Sequence, residues 1–166
     1  MILYHGSDIV VDIPRLVYQP RALDFGGGFY TTDNMEQAIS FADKVVRRRR
    51  TGSPTVSVYE FNEDKAFSIC NSLRFEAADE EWLDFVCAHR NNTYQGATYE
   101  LTYGAVADDD IFLTFTLYAS GELTKEETIK RLKVKKLYNQ LVLSSERALS
   151  FLSFIGTLGK EKTWKE

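Results

Sequence analysis

Three consecutive glycines, Gly26-Gly27-Gly28, run straight into Phe29-Tyr30-Thr31-Thr32, and this junction constrains the fold more than any other stretch. Backbone without side chains turns sharply, takes up positive φ and lets a ligand come close, and it is a poor helix interior. The aromatic and β-branched residues that follow predict a strand over Phe29 to Thr31. A helix is then predicted to open at Thr32 or Asp33, with Asp33 and Glu36 as a capping-box-like pair. Its apolar positions Ala38, Phe41, Ala42, Val45 and Val46 recur at steps of three and four. Arg47 to Arg50 close it, where cations suit the helix dipole. The contiguous glycines do not have the G-x-G-x-x-G spacing of a Rossmann turn.

The other segments follow the same logic. Residues 2–5 read as a short strand ending at Gly6-Ser7, and residues 8–25 as irregular chain broken by Pro14 and Pro20. Val56 to Phe61 alternates as a strand does. Glu76 to Arg90 reads as an amphipathic helix with Trp82, Leu83, Phe85, Val86 and Cys87 on its apolar side. Tyr99 to Val106 is a predicted strand. Asp108-Asp109-Asp110 is predicted to cap a helix to about Ala119, although Leu113 to Leu117 also alternates. Thr124 with Glu127 starts another helix, Gln140 to Leu143 is a buried strand, and Ser144 or Ser145 caps a short helix through Phe151. Strands interspersed irregularly with helices, with no repeat or long linker, give one α+β domain over residues 1–166.

Composition narrows the function classes. Hydrophobic residues make up 44% and aromatic residues 13%, which excludes a disordered chain. A net charge of −4 gives no general attraction to nucleic acid, while leaving room for a local basic patch. Cys70 and Cys87 lie in apolar contexts without metal-like spacing, so two free thiols are expected. With only His5 and His89 in the chain, no histidine-rich metal site is expected. No apolar run nears the ~20 residues of a membrane span. No basic-then-apolar leader is visible, and cleavage of an N-terminal segment would remove His5. A cytoplasmic protein without membrane contact is expected.

Leu3-Tyr4-His5-Gly6-Ser7 and Asp24-Phe25-Gly26-Gly27-Gly28-Phe29-Tyr30-Thr31-Thr32 together resemble two of the three active-site motifs of the ADP-ribosyltransferase superfamily. The resemblance is to its His-Tyr-(Glu/Gln) branch, and within it to a bacterial DUF3990-type family. It implies a split β-sheet core with flanking helices and an enzyme that uses NAD as cosubstrate without a metal. His5 would bind a ribose hydroxyl and the Gly6 backbone the carboxamide. Tyr30 and Phe41, eleven residues apart, would sandwich the nicotinamide ring. Gly28 belongs to the close-approach loop, and Arg21 is a candidate phosphate contact. The third motif departs from the common pattern. Where many members carry a glutamate, Tyr138-Asn139-Gln140-Leu141-Val142-Leu143 offers Gln140, whose carbonyl accepts a hydroxyl hydrogen bond but brings no charge. Catalysis would then be slower, or one other carboxylate would contribute, with Asp24, the Asp108 to Asp110 cluster and Glu146 as the candidates.

The resemblance further implies a macromolecular acceptor, protein or nucleic acid, chosen by variable loops placed at residues 8–25 and 62–98. It also implies a toxin with an antitoxin partner. Water as acceptor would make the protein an NAD glycohydrolase. Loss of the glutamate would make it a catalytically inactive NAD-binding or interaction module. His5→Ala and Tyr30→Ala are expected to abolish NAD turnover and leave the fold intact.

Overall fold

The computed structural model describes residues 1–17, 22–107, 109–133 and 137–159. Among the described residues there are seven strands and six helices, the strands being β1 (Ile2–Ser7), β2 (Phe29–Thr32), β3 (Thr55–Phe61), β4 (Ser72–Arg74), β5 (Leu101–Ala105), β6 (Asn139–Leu143) and β7 (Leu152–Gly159). The helices flank them: α1 (Met35–Arg49), α2 (Glu63–Ile69), α3 (Glu80–Arg90), α4 (Asp109–Ala119), α5 (Lys125–Lys133) and α6 (Glu146–Leu149). The strands form one mixed sheet in the order β4-β5-β6-β2-β1-β3-β7, with β4 parallel to β5 and the other neighbours antiparallel.

Apolar side chains sort onto separate clusters around this sheet. Leu3, Phe29, Tyr59, Phe61, Leu141 and Leu143 pack with Ala66 of α2, with its C-cap Cys70, and with Ala148 and Leu149 of α6. Val142 and Ala105 meet Trp82, Leu83 and Val86 of α3, Ile111 and Phe115 of α4, and Leu132 of α5. Trp82 satisfies its indole N–H on the Ala105 carbonyl at 3.0 Å, so its burial leaves no orphan donor. Helix α1 lies on β1 and β3 through Ala38, Ala42 and Val56.

Several boundaries differ from the sequence reading, each for a local reason. Asn34, not Asp33, caps α1: its side chain accepts from Gln37 N at 2.9 Å, because β2 stays extended through Thr32. Asp33 instead accepts from the Tyr103 hydroxyl. Helix α3 begins at Glu80 behind its cap Asp79, four residues later than expected. The span 62–98, read as a variable loop, holds α2, β4 and α3. Leu113 to Leu117 is helical, so the alternating reading fails there. The capping pairs Thr124 with Glu127 and Ser145 with Ala148 N are present. Arg21 and Asp108 lie outside the described residues.

Backbone approach at Gly6 ties α1 to β1. A Cβ built there would sit 2.1 Å from the Ala38 carbonyl oxygen and 2.9 Å from Ala42 N, both backbone atoms. The small residues Ala38 and Ala42 on α1 permit the same close approach from the other side. Gly6→Ala should therefore weaken the fold by roughly 1–3 kcal/mol, the range for overpacking. Gly27→Ala, where an added Cβ meets nothing within 4 Å, should be nearly silent. Urea denaturation of both variants checks this, and equal midpoints would contradict the packing account.

Candidate active site

The joint between β1 and β2 organises the site. β1 pairs with β3 along its whole length, from Ile2 with Glu60 to Ser7 with Thr55, and β2 pairs with β6 from Phe29 to Thr32. Between β1 and β2 the register is a single pair, Tyr4 with Thr32. Beyond it the His5 side chain reaches the Tyr30 carbonyl, Nδ1 to O, at 2.7 Å. A carbonyl only accepts, so Nδ1 carries the hydrogen and Nε2 is the acceptor end of the neutral ring. The imidazole stacks on Phe29, with ring centroids 4.4 Å apart. Burial lowers the His5 pKa below 6.5, against the bond to Tyr30, and Arg49 adds to the lowering. The ring is therefore neutral at pH 7.

A cleft of about 910 Å³ opens at this joint. His5 and Gly6 of β1, Tyr30 and Thr32 of β2, and Gln140 of β6 line it. Helix α1 contributes Gln37, Phe41, Lys44 and Arg48, and the 9–17 segment contributes Ile9, Ile13, Arg15 and Val17. That segment is pinned at Val11, whose N–H donates to Ser57 Oγ at 2.9 Å and whose carbonyl accepts from the Tyr59 hydroxyl. At the cleft's α1 end, Asp8 holds Arg49 at 2.9 Å and the Thr51 hydroxyl at 2.7 Å. The Thr51 bond is the main reason its carboxyl pKa is lowered.

The structure brings together most of the residues singled out in the sequence. His5, Tyr30 and Gln140, 25 and 110 residues apart, stand on three neighbouring central strands. Gly6, Gly28 and Phe41 also line the cleft. Phe41 is 46% exposed, so it is not part of the helix's core face, which Ala38, Ala42 and Val45 form. Tyr30 has a further task. Its hydroxyl donates to the Gly26 carbonyl at 2.6 Å and accepts from Phe25 N at 3.0 Å, holding the glycine loop closed on itself. Burial raises its pKa, so it remains a phenol. Gly28, at φ +156°, leaves room that a Cβ would take from Val142 and Ser144.

The sequence reading missed Lys44, Arg15 and Arg90 as cleft residues, and Asp8 as the partner of Arg49 at its edge. Lys44 and Arg48 fall on the α1 face of Phe41 at helical spacing, a signal the sequence did carry. Arg90 meets Asp24 across 66 residues, and no local pattern announces that. Cys70 and Cys87 are free thiols. Among the described residues no group of three or more His, Cys, Asp or Glu gathers as a metal site, and no helix is long and apolar enough to cross a membrane.

The family model described as "Protein of unknown function (DUF3990)" matches residues 1–154. The chain belongs to the DUF3990 family. No curated protein and no solved structure matches it. The DUF3990 span runs from β1 into β7, so every cleft residue named above lies inside it.

In this DUF3990 chain a neutral buried histidine has a definite pH signature. Below about 6.5 the unfolded chain binds a proton at His5 that the folded chain, with its lowered pKa, does not bind. The contribution is complete above the unfolded value and is lost as the pH falls from there through the folded value. His89, also lowered by burial, acts with the same sign. Thermal melts between about pH 7.5 and 5 should show a loss of stability that is smaller in His5→Gln. An identical pH slope in both proteins would contradict the buried neutral imidazole.

Proposed function

We propose that this chain is an NAD-dependent ADP-ribosyltransferase-like enzyme that transfers ADP-ribose to a macromolecular acceptor, as the toxin of a toxin–antitoxin pair. The observation that carries the reading is the meeting of His5, Tyr30 and Gln140 around one cleft on the adjacent strands β1, β2 and β6. At about 910 Å³ the cleft falls within the ~300–1,000 Å³ of small-molecule and cofactor sites.

In this reading each group has a chemical task. His5 Nε2 accepts a hydrogen bond from a ribose hydroxyl, which its neutral state and the Nδ1 bond to Tyr30 prepare. The nicotinamide ring lies against Phe41 and Tyr30. The Gln140 carbonyl accepts from the 2′-hydroxyl. The cations Lys44, Arg48 and Arg15 suit the diphosphate. The bond from the nicotinamide nitrogen to the ribose anomeric carbon breaks, and nicotinamide leaves neutral with the electron pair. The sugar passes through an oxocarbenium-like state. The acceptor nucleophile then bonds to the anomeric carbon and gives up its proton. Water in that place would make the reaction NAD hydrolysis. A module that binds NAD without reaction is the second reading, favoured by the missing charge at Gln140.

The test is to add NAD labelled on its adenylate half to a cell lysate with the purified protein, then digest with protease or nuclease. Label that disappears with one digestion is the expected result and names the acceptor class. Labelled free ADP-ribose means hydrolysis, and no turnover by folded protein overturns the enzyme reading. His5→Ala should abolish both turnover and growth arrest on expression. Tyr30→Ala is a poor control because it also frees the glycine loop. Phe41→Ala alters an exposed side chain. Loss of one stacking contact of ~0.5–1.5 kcal/mol should lower kcat/KM for NAD about 2- to 12-fold.

A further inference from the structure

Asp24, two residues before Gly26 of the glycine loop, is 6% exposed and has both carboxylate oxygens hydrogen-bonded. Arg90 Nε donates to Oδ1 at 2.6 Å, and Arg90 Nη2 forms an ion pair with the same oxygen at 2.5 Å. Ala107 N and Gln140 Nε2 donate to Oδ2 at 3.0 and 3.1 Å. Arg90 is itself fixed by donating to the Ala107 carbonyl at 2.8 Å and by lying over the Phe115 ring. The group joins the start of the glycine loop, the end of α3 and strand β6, and Asp24, Arg90 and Gln140 all line the cleft.

This network decides which way the Gln140 amide points. Its neighbours on one side are the Asp24 carboxylate and, at 3.5 Å, the Ala105 carbonyl, and both only accept. The nitrogen must face them, which leaves the amide oxygen as the end offered to a ligand hydroxyl. A residue at this position has to donate toward Asp24 and accept toward the cleft. Glutamine does both. Glutamate would set one carboxylate against another at about the 3.1 Å now spanned by the amide bond, an arrangement in which two charges strongly disfavour each other.

We propose that Asp24, held by Arg90, is the positioning residue of the cleft, orienting Gln140 so that its carbonyl oxygen meets the ribose. The glutamine is then the complement of Asp24, and a glutamate in its place would not improve the site. The inference rests on the transferase reading.

A charge swap tests it, with nicotinamide release from NAD giving kcat and KM, and thermal melts run alongside. In Asp24→Asn, Arg90 claims the amide oxygen of the new side chain and a second N–H faces Gln140, so the glutamine turns its oxygen away. Gln140→Glu sets two carboxylates together. Each single variant should lose about tenfold or more in kcat, the size of one misplaced hydrogen bond. Combining Asp24→Asn with Gln140→Glu lets the introduced amide donate to the introduced carboxylate, and this double variant should recover most of that loss. A role in stability alone would lower the melting temperature and leave kcat per folded molecule unchanged. Undiminished kcat in folded Asp24→Asn, or full activity in Gln140→Glu alone, would overturn the proposal. So would a folded double variant no better than the singles. These outcomes differ from absence of release by the wild type, which would overturn the transferase reading and this proposal with it.

Discussion

Between β1 and β2 the sheet is joined by one residue pair, and past that pair the His5 imidazole donates to the Tyr30 carbonyl across the opening. A ladder continued in register would bring Gly6 and Ser7 against Tyr30 and Phe29 and leave no cleft. A gap without a bridge would leave the Tyr30 carbonyl unpaired at the edge of the core, a costly state for a buried polar group. The histidine permits the strands to part while the backbone group stays satisfied. Its stacking on Phe29 and its lowered pKa follow from the same burial. The cleft, the fixed tautomer and the position of Tyr30 all depend on this bond.

Two buried carboxylates fix what surrounds the opening. Asp8 ties the end of β1 to the last turn of α1 and the turn after it, through Arg49, Thr51 and the Ser53 N–H on its carbonyl. Asp24 ties the glycine loop to α3 and to β6 through Arg90 and Gln140. Both have their polar atoms met, Asp8 by a guanidinium and hydroxyls and Asp24 by a guanidinium and amide N–H groups, the condition under which burial of a charge is tolerable. One consequence is that the two aspartates act on geometry. They set where α1 and β6 present Phe41, Lys44, Arg48 and Gln140 to the cleft.

What the sequence made legible was local. The strand at Phe29, the helix after it and the caps at Thr124 and Ser145 are signals carried within a few residues, and they emerge with small shifts. Asp33 completes a capping box and so reads as the cap; β2 running on through Thr32 moves the role to Asn34. β7 has no such local signal, since its residues Leu152 to Gly159 gain their strand character from pairing with β3. Likewise β4 is three residues long and exists only beside β5. The motif residues were legible because the family resemblance named them. The groups that hold them were not, for Arg90 with Asp24 and Arg49 with Asp8 are pairs made by tertiary packing.

Whether NAD enters the cleft at the β1–β2 joint, as proposed above, is open to direct measurement. Backbone amide resonances of isotopically labelled protein would be followed as NAD is added. NAD bound in the cleft should move the amides of His5, Gly6, Tyr30, Thr32 and Gln140 together with those around Phe41, with a single dissociation constant, while those of α2 and α6 stay still. Resonances unchanged at saturating NAD, or changes confined to surfaces away from β1, β2 and β6, would contradict it.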